Sequence, residues 1–240
     1  QTSSQPPAQG VPVLFIHGSG GSAHVWFNQL QIYVPDFVPM ALDLPGHARS
    51  QGSGAKRIED YAQWIKDFLQ ALGASRCVLG GHSLGGAVCL TASLLFPQLL
   101  QGLILVGTGA RLRVAEDVLT RAKKGASFAE WAYAPQTPAQ LKREAEKEFK
   151  LTSPEVRHAD FLACDRFDIM DRVQEVQTPS LILCGDEDKL TPIKYSQYLH
   201  THMPDSRLDV IAGGGHMVMW EQPQAVNRSI TEFLEHIKRH

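Results

Sequence analysis

The stretch Cys77-Val78-Leu79-Gly80-Gly81-His82-Ser83-Leu84-Gly85-Gly86-Ala87 decides how the chain is to be read. Cys77 to Leu79 is an apolar run of strand type, and Gly81, Ser83 and Gly85 then form a Gly-x-Ser-x-Gly turn. Residues 87–96 continue in small and apolar side chains suited to a helix packed close to a sheet. The pattern predicts strand, sharp turn, helix. A serine at the tip of such a turn is held in a strained backbone conformation, and glycines two positions to either side let strand and helix approach without Cβ collisions. Its hydroxyl is thereby presented outward. The backbone N–H of Leu84 falls at the helix start, where unpaired donors and the positive end of the helix dipole can hold a developing oxyanion. An idle serine in a glycine turn is the competing reading of the pentapeptide, so the surrounding chain has to decide.

Working outward, residues 13–16 are a short apolar run stopped by His17-Gly18-Ser19-Gly20-Gly21-Ser22, and residues 37–42 are a second run ended by Asp43-Leu44-Pro45-Gly46. Residues 24–33 between them fit a helix, which makes a βαβ unit. Ile58, Tyr61, Ala62, Ile65, Phe68, Leu69 and Leu72 form a helical stripe, with Gly73 where a cap belongs. Another strand is read at 103–106. Over residues 111–177 apolar strand runs disappear and charged, helix-forming residues take over. Thr137-Pro138-Ala139-Gln140 and Ser153-Pro154-Glu155 look like helix starts, and the mixed charges of 142–148 like a solvated helix face. The alternating pattern resumes with a strand at 180–184, a helix at 195–202, a strand at 207–211 and a helix at 223–237. The expected fold class is therefore α/β, a mostly parallel sheet flanked by helices, with core segments 1–110 and 178–240 and a helical insertion at 111–177.

The chain has 240 residues, enough for one well-buried domain; with 43% apolar and 20% charged residues it has the composition of a globular protein. Its net charge of −2 gives no electrostatic case for nucleic acid or an anionic membrane, so the expected partners are small, mostly uncharged molecules. Cys77, Cys89, Cys164 and Cys184 lie in apolar runs without CxxC or zinc spacing, which suggests reduced core residues and a cytoplasmic or similarly reducing setting. No apolar run approaches a membrane span. Residues 1–10 are polar and proline-rich, unlike a signal peptide, and the absence of an initiator methionine reads as a trimmed start.

A serine hydroxyl needs a base to take its proton, and the base needs a carboxylate to hold its tautomer. His216 follows three glycines at a strand end, and Asp186 and Asp188 both follow an earlier strand, so Ser83, an aspartate and His216 occur in that chain order on loops at the same end of the sheet. His17, His47 and His82 lie on the same loops and are read as packing or hydrogen-bonding residues. No HExxH motif is present, so no metal and no cofactor are expected. Two other function classes have to be weighed. Gly18-Ser19-Gly20-Gly21-Ser22-Ala23, with Asp43 ending the next strand, formally fits a dinucleotide-binding fingerprint but leaves Ser83 and His216 without purpose. A non-catalytic ligand receptor would usually have lost one of the three reactive residues.

Taken together, His17-Gly18-Ser19-Gly20, Asp43-Leu44-Pro45-Gly46-His47, Gly81-His82-Ser83-Leu84-Gly85-Gly86, Gly185-Asp186-Glu187-Asp188 with Thr191-Pro192, and Gly215-His216 with Glu221-Gln222-Pro223 resemble the α/β-hydrolase family over almost the whole chain. The resemblance implies Ser83 as nucleophile, Asp188 rather than Asp186 as the acid, and His216 as the base. It implies an oxyanion hole from the backbone N–H groups of Ser19 and Leu84, and an insertion that caps the site. The activity implied is cleavage of small, mostly apolar carboxylic esters through an acyl-enzyme on Ser83, with thioesterase, carbon–carbon bond hydrolase or cofactor-free lyase chemistry as the alternative. A serine at this position argues against the dehalogenase and epoxide-hydrolase branches, which place an aspartate there. Two departures stand out: the antiparallel hairpin usual before residue 13 is missing, and Ala48 replaces a glycine usual in the loop after Asp43. In the insertion, Phe128, Trp131, Tyr133, Phe149, Phe161, Phe167 and Met170 suit either an apolar pocket or packing onto the body; Met217, Met219 and Trp220 beside His216 pose the same choice.

Overall fold

Successive side chains of a strand face opposite sides of a sheet, so strands that are apolar at every position mark a sheet covered on both faces. The computed structural model, which describes residues 10–124 and 128–239, has six strands: β1 (Val11–Ile16), β2 (Phe37–Leu42), β3 (Cys77–His82), β4 (Leu100–Val106), β5 (Ser180–Gly185) and β6 (Ser206–Ile211); β1, β3, β4 and β5 are largely buried, whereas the edge strands β2 and β6 are partly exposed. These strands form one sheet in the order β2-β1-β3-β4-β5-β6, with every neighbouring pair parallel. Leu14, Ile16, Leu79, Leu103, Leu105 and Ile182 join the core on one side, under helices α1 (Ile58–Ala71) and α2 (Leu84–Leu95). Their neighbours Val13, Phe15, Val78, Ile104, Val106, Leu181 and Leu183 join the core on the other.

Between β4 and β5 lie α3 (Glu116–Lys123), α4 (Ala129–Ala132), α5 (Ala139–Phe149) and α6 (Pro154–Arg166), which fall within residues 111–177. After β5 come α7 (Lys194–His202), α8 (Val218–Glu221) and α9 (Pro223–Ile237), the last two covering the second face of the sheet. The expected helix at 24–33 is not formed. In its place are two 3₁₀ turns, Ala23–Trp26 and Gln29–Gln31. Tertiary anchors override the local pattern here, because Trp26 is wholly buried in a stack on Phe15 at 4.7 Å, and the Gln29 amide donates to Asn227 Oδ1 at 2.8 Å. Thr137 does not cap α5 as its spacing suggested; its hydroxyl donates to Glu221 instead. Ser153 does cap α6, accepting from Val156 N at 3.3 Å, with Pro154 in the first turn.

Among the described residues β1 is the first strand, and β2 forms the sheet edge, with no antiparallel hairpin beyond it. Ala48 has a φ of 42°, in the left-handed region that glycine tolerates and a Cβ does not. Relief of that strain outweighs the extra freedom of an unfolded glycine. Ala48→Gly is expected to stabilise the fold by up to about 1 kcal/mol, read as a higher midpoint of urea unfolding.

Candidate active site

Parallel pairing of Ile16 with Gly81 sets the loop that begins at His17 beside the turn at Ser83. These two loops leave the carboxyl ends of β1 and β3, where the chain order reverses in the sheet and open α/β folds carry their ligand crevice. Ser83 has φ 52° and ψ −114°, the strained tip foreseen for the turn. A Cβ on Gly81 would collide with the Gly85 carbonyl and one on Gly85 with the Ile16 carbonyl, so both positions exclude side chains. Strain of this kind persists only where surroundings over-determine it. Here Ser83 N donates to Val106 O at 2.9 Å, while Ser83 O accepts from Thr108 Oγ1 at 2.8 Å and from Ala87 N at 3.1 Å.

His216 lies in the loop between β6 and α8, and Asp188 in the loop between β5 and α7; both are buried. The His216 Nδ1–H donates to Asp188 Oδ2 at 2.8 Å. The same oxygen accepts from Thr191 Oγ1 at 2.7 Å, and Oδ1 accepts from the backbone N–H groups of Leu190 and Thr191 at 2.8 and 2.9 Å. Burial alone would raise the Asp188 carboxyl, but the charge and hydrogen bond of His216 and the donors of Thr191 outweigh it and hold the group well below the usual carboxylate range. Gly107, at φ 54°, leaves the room this pair occupies: a Cβ there would stand 3.3 Å from His216 Nδ1. Asp186, the competing acid, is instead used to accept from Gly213 N at 2.7 Å.

The other histidines of these loops are tied into the scaffold. His17 donates from Nδ1 to Gly18 O at 2.8 Å and accepts from Leu44 N at 3.0 Å, and burial together with the nearby His47 pushes it down to about 3. His82 donates to the His216 carbonyl at 3.0 Å, and burial holds it neutral. His47 is different. Its Nδ1 faces Pro45 O at 3.1 Å and its Nε2 faces Asp160 Oδ2 at 2.8 Å, so both nitrogens must donate and the ring is an imidazolium. Burial opposes that charge, but the hydrogen bond and charge of Asp160 raise the group above its ordinary value. The groups facing it are His17 at 4.6 Å between rings, Tyr61 at 6.4 Å and Asp160. A raised folded value means a stabilising contribution fully present below about pH 6.5, the unfolded value, and lost as pH rises through the higher folded value. Denaturant unfolding from about pH 6 to about pH 9 should therefore lose stability more steeply in the wild type than in His47→Gln; equal slopes would contradict the charged ring.

Ser83 and His216 line one cavity of about 340 Å³ that separates the insertion from the sheet ends. Its polar floor includes Ser19, His82 and Thr191, and its walls are largely apolar, with Val25, Leu112, Phe128, Tyr133, Phe149, Phe161, Met217 and Trp220. The choice posed by the aromatic residues thus resolves residue by residue. Phe167 and Met170 pack into the core beneath, Met219 is fully buried behind the wall, and Trp131 stacks under the Arg121 guanidinium. The glycine loop does not have the dinucleotide geometry: no α-helix follows it, Asp43 is taken up by Ala23 N at 2.7 Å, and a Cβ on Gly20 would strike Phe149 and Arg157.

The profile of the alpha/beta hydrolase family matches residues 13–229. The chain belongs to that family. As an alpha/beta hydrolase it is 29% identical, over 90% of its length and 89% of the relative's, to a protein of Stutzerimonas stutzeri whose name proposes a carbamate hydrolase, RutD. Among solved structures it superposes on a thermophilic esterase at 34% identity with a TM-score of 0.81, covering 94% of this chain and 90% of that one. It likewise superposes on an esterase from Thermogutta terrifontis at 25% identity and a TM-score of 0.87, covering 96% and 91%. No helix among the described residues is long and apolar enough to cross a membrane.

Three residues of the candidate site have no role that the sequence alone assigns. Thr191 stands out in sequence only as part of the Gly185-to-Pro192 motif, although a threonine three places after an aspartate is a recognisable side-chain-to-backbone turn. Glu221 accepts from Gly215 N at 2.8 Å and Ala134 N at 2.7 Å, tying the loop of His216 to the insertion; it too was visible only as a motif letter. Asp160 lay inside the insertion with no signal to mark it.

Proposed function

We propose that the chain is a serine hydrolase of carboxylic esters. Ser83 Oγ attacks the ester carbonyl while its proton passes to His216 Nε2, the nitrogen left over when Nδ1 is bound to Asp188. The oxyanion is held by the N–H groups of Ser19 and Leu84, the latter opening α2. Collapse expels the alcohol, which takes the proton from His216. A water then loses a proton to His216, attacks the acyl carbon and releases the acid, returning the proton to Ser83. The helical insertion, residues 111–177, acts as the cap that closes the site from water.

One observation carries this reading: a strained serine and an aspartate-held histidine open into the same largely apolar cavity. The esterases among the structural relatives and the carbamate in the name of the S. stutzeri relative favour acyl transfer at a carbonyl of this kind. Substrates are small molecules with an apolar acyl or alcohol group, and no metal or cofactor takes part. The four cysteines, free and buried, suit a reducing compartment such as the cytoplasm.

Hydrolysis of p-nitrophenyl esters of increasing acyl length tests the proposal. Turnover should peak at a short to medium chain that fills the cavity. Absence of turnover with every ester, while a fluorophosphonate still labels Ser83, would discard the esterase reading in favour of thioester, carbon–carbon or lyase chemistry at the same serine. Thr191→Val removes one charge-assisted hydrogen bond to the carboxylate, worth about 1.5–3 kcal/mol, and should lower kcat/KM by up to roughly 100-fold.

A further inference from the structure

The hydrolase reading leaves unexplained why a carboxylate from the insertion is buried among the loops of the body. Asp160, on α6, is fully inaccessible to solvent. It accepts from three separate segments: Gly20 N at 2.8 Å and His47 Nε2 at 2.8 Å on Oδ2, and Tyr61 Oη at 2.7 Å on Oδ1. Taking a carboxylate out of water costs several kcal/mol unless each lone pair finds a donor, and here a charged ring and two further donors supply that compensation.

The Gly20 contact falls at a particular place. Ser19 is flanked by two peptide planes, one carrying Gly18 O and one carrying Gly20 N. The first is pinned from the body, because Gly18 O accepts from His17 Nδ1 at 2.8 Å and from Gly21 N at 3.0 Å. The second is pinned from the insertion by Asp160. Gly20 itself sits at φ 67°, with Phe149 and Arg157 of the insertion packed where a Cβ would be. The Ser19 N–H lies in the first plane, opposite Gly18 O, and the second plane is the central peptide of the turn from Gly18 to Gly21; by holding that peptide, Asp160 holds the turn that brings Gly21 N onto Gly18 O and so the direction of the Ser19 N–H.

We infer that Asp160 is a positioning residue for the oxyanion-binding amide of Ser19, so that this half of the anion site is completed only when α6 of the insertion is seated on the body. The inference rests on the hydrolase reading above. It makes the insertion a structural part of the anion site as well as a cover, and it assigns His47 the task of holding Asp160 aimed.

Two rates test it: phosphonylation of Ser83 by a fluorophosphonate, which needs the anion site but no particular substrate, and steady-state turnover of the best ester. Asp160→Asn is expected to slow both by about 10- to 100-fold with KM changed less than about threefold, the pattern of an interaction made in the transition state. Tyr61→Phe also removes a bond to Asp160 but leaves the Gly20 contact. It should lower the thermal midpoint while keeping both rates within about threefold of wild type. If Asp160→Asn keeps both rates at a comparable loss of stability, Asp160 is structural only and the inference falls. Should that variant not fold, hydrogen exchange on the wild type decides, since the inference requires a protected Gly20 amide and a freely exchanging one overturns it. A wild type whose Ser83 is not labelled at all would instead remove the hydrolase reading, an outcome distinct from equal labelling of wild type and variant.

Discussion

Ser83→Ala should reduce ester turnover by about 10⁴-fold or more while leaving the fold in place. The turn is held at residue 83 by Val106, Thr108 and Ala87 through main-chain atoms that alanine retains. Alanine inherits the φ of 52° and its strain, so the unfolding midpoint should move little. Substrate affinity should also survive, because the cavity walls are untouched. What disappears is the covalent step, and fluorophosphonate labelling must vanish with it. A variant that still turned over ester at the wild-type rate would show that another residue carries the chemistry.

Asp188→Asn is the second large effect, and the reason is tautomeric. The carboxylate accepts on both oxygens: Oδ1 from the Leu190 and Thr191 amides, Oδ2 from His216 and Thr191 Oγ1. An asparagine has one acceptor, and the two backbone donors claim it. Its NH₂ then faces His216 Nδ1, which must accept, so the ring proton moves to Nε2 and no lone pair is left to receive the serine proton. A loss of about 10³- to 10⁴-fold in kcat is expected, with KM changed little, measured on the same ester. Stability follows with a definite sign. Since the folded carboxyl is held below its ordinary value, its contribution is present above about pH 4 and lost as pH falls through the folded value. The variant should be less stable at neutral pH and should lose less on acidification.

Much of the fold was legible because it depends on patterns the chain writes locally. Continuous apolar runs announced doubly covered parallel strands, and α9 (Pro223–Ile237) matched the sequence-read helix in both bounds. The elbow was legible for a related reason, since only glycine fits at 81 and 85. The failures were places where a distant partner outweighs local preference. Trp26 and Gln29 are pinned into 3₁₀ turns by Phe15 and Asn227, and Thr137 is drawn from capping α5 to Glu221.

Local pattern set the strand-turn-helix at Ser83 and the chain order of serine, aspartate and histidine on loops at one end of the sheet. These follow from steric and periodic rules that act within a few residues. Only the tertiary structure decided which aromatic residues face the cavity, that Thr191 completes the shell of Asp188, and that Asp160 reaches Gly20, His47 and Tyr61. Those contacts join segments up to 140 positions apart, and a hydrogen bond across such a separation leaves no periodicity in either segment. It exists because parallel strands bring their carboxyl-end loops together and the insertion folds back over them.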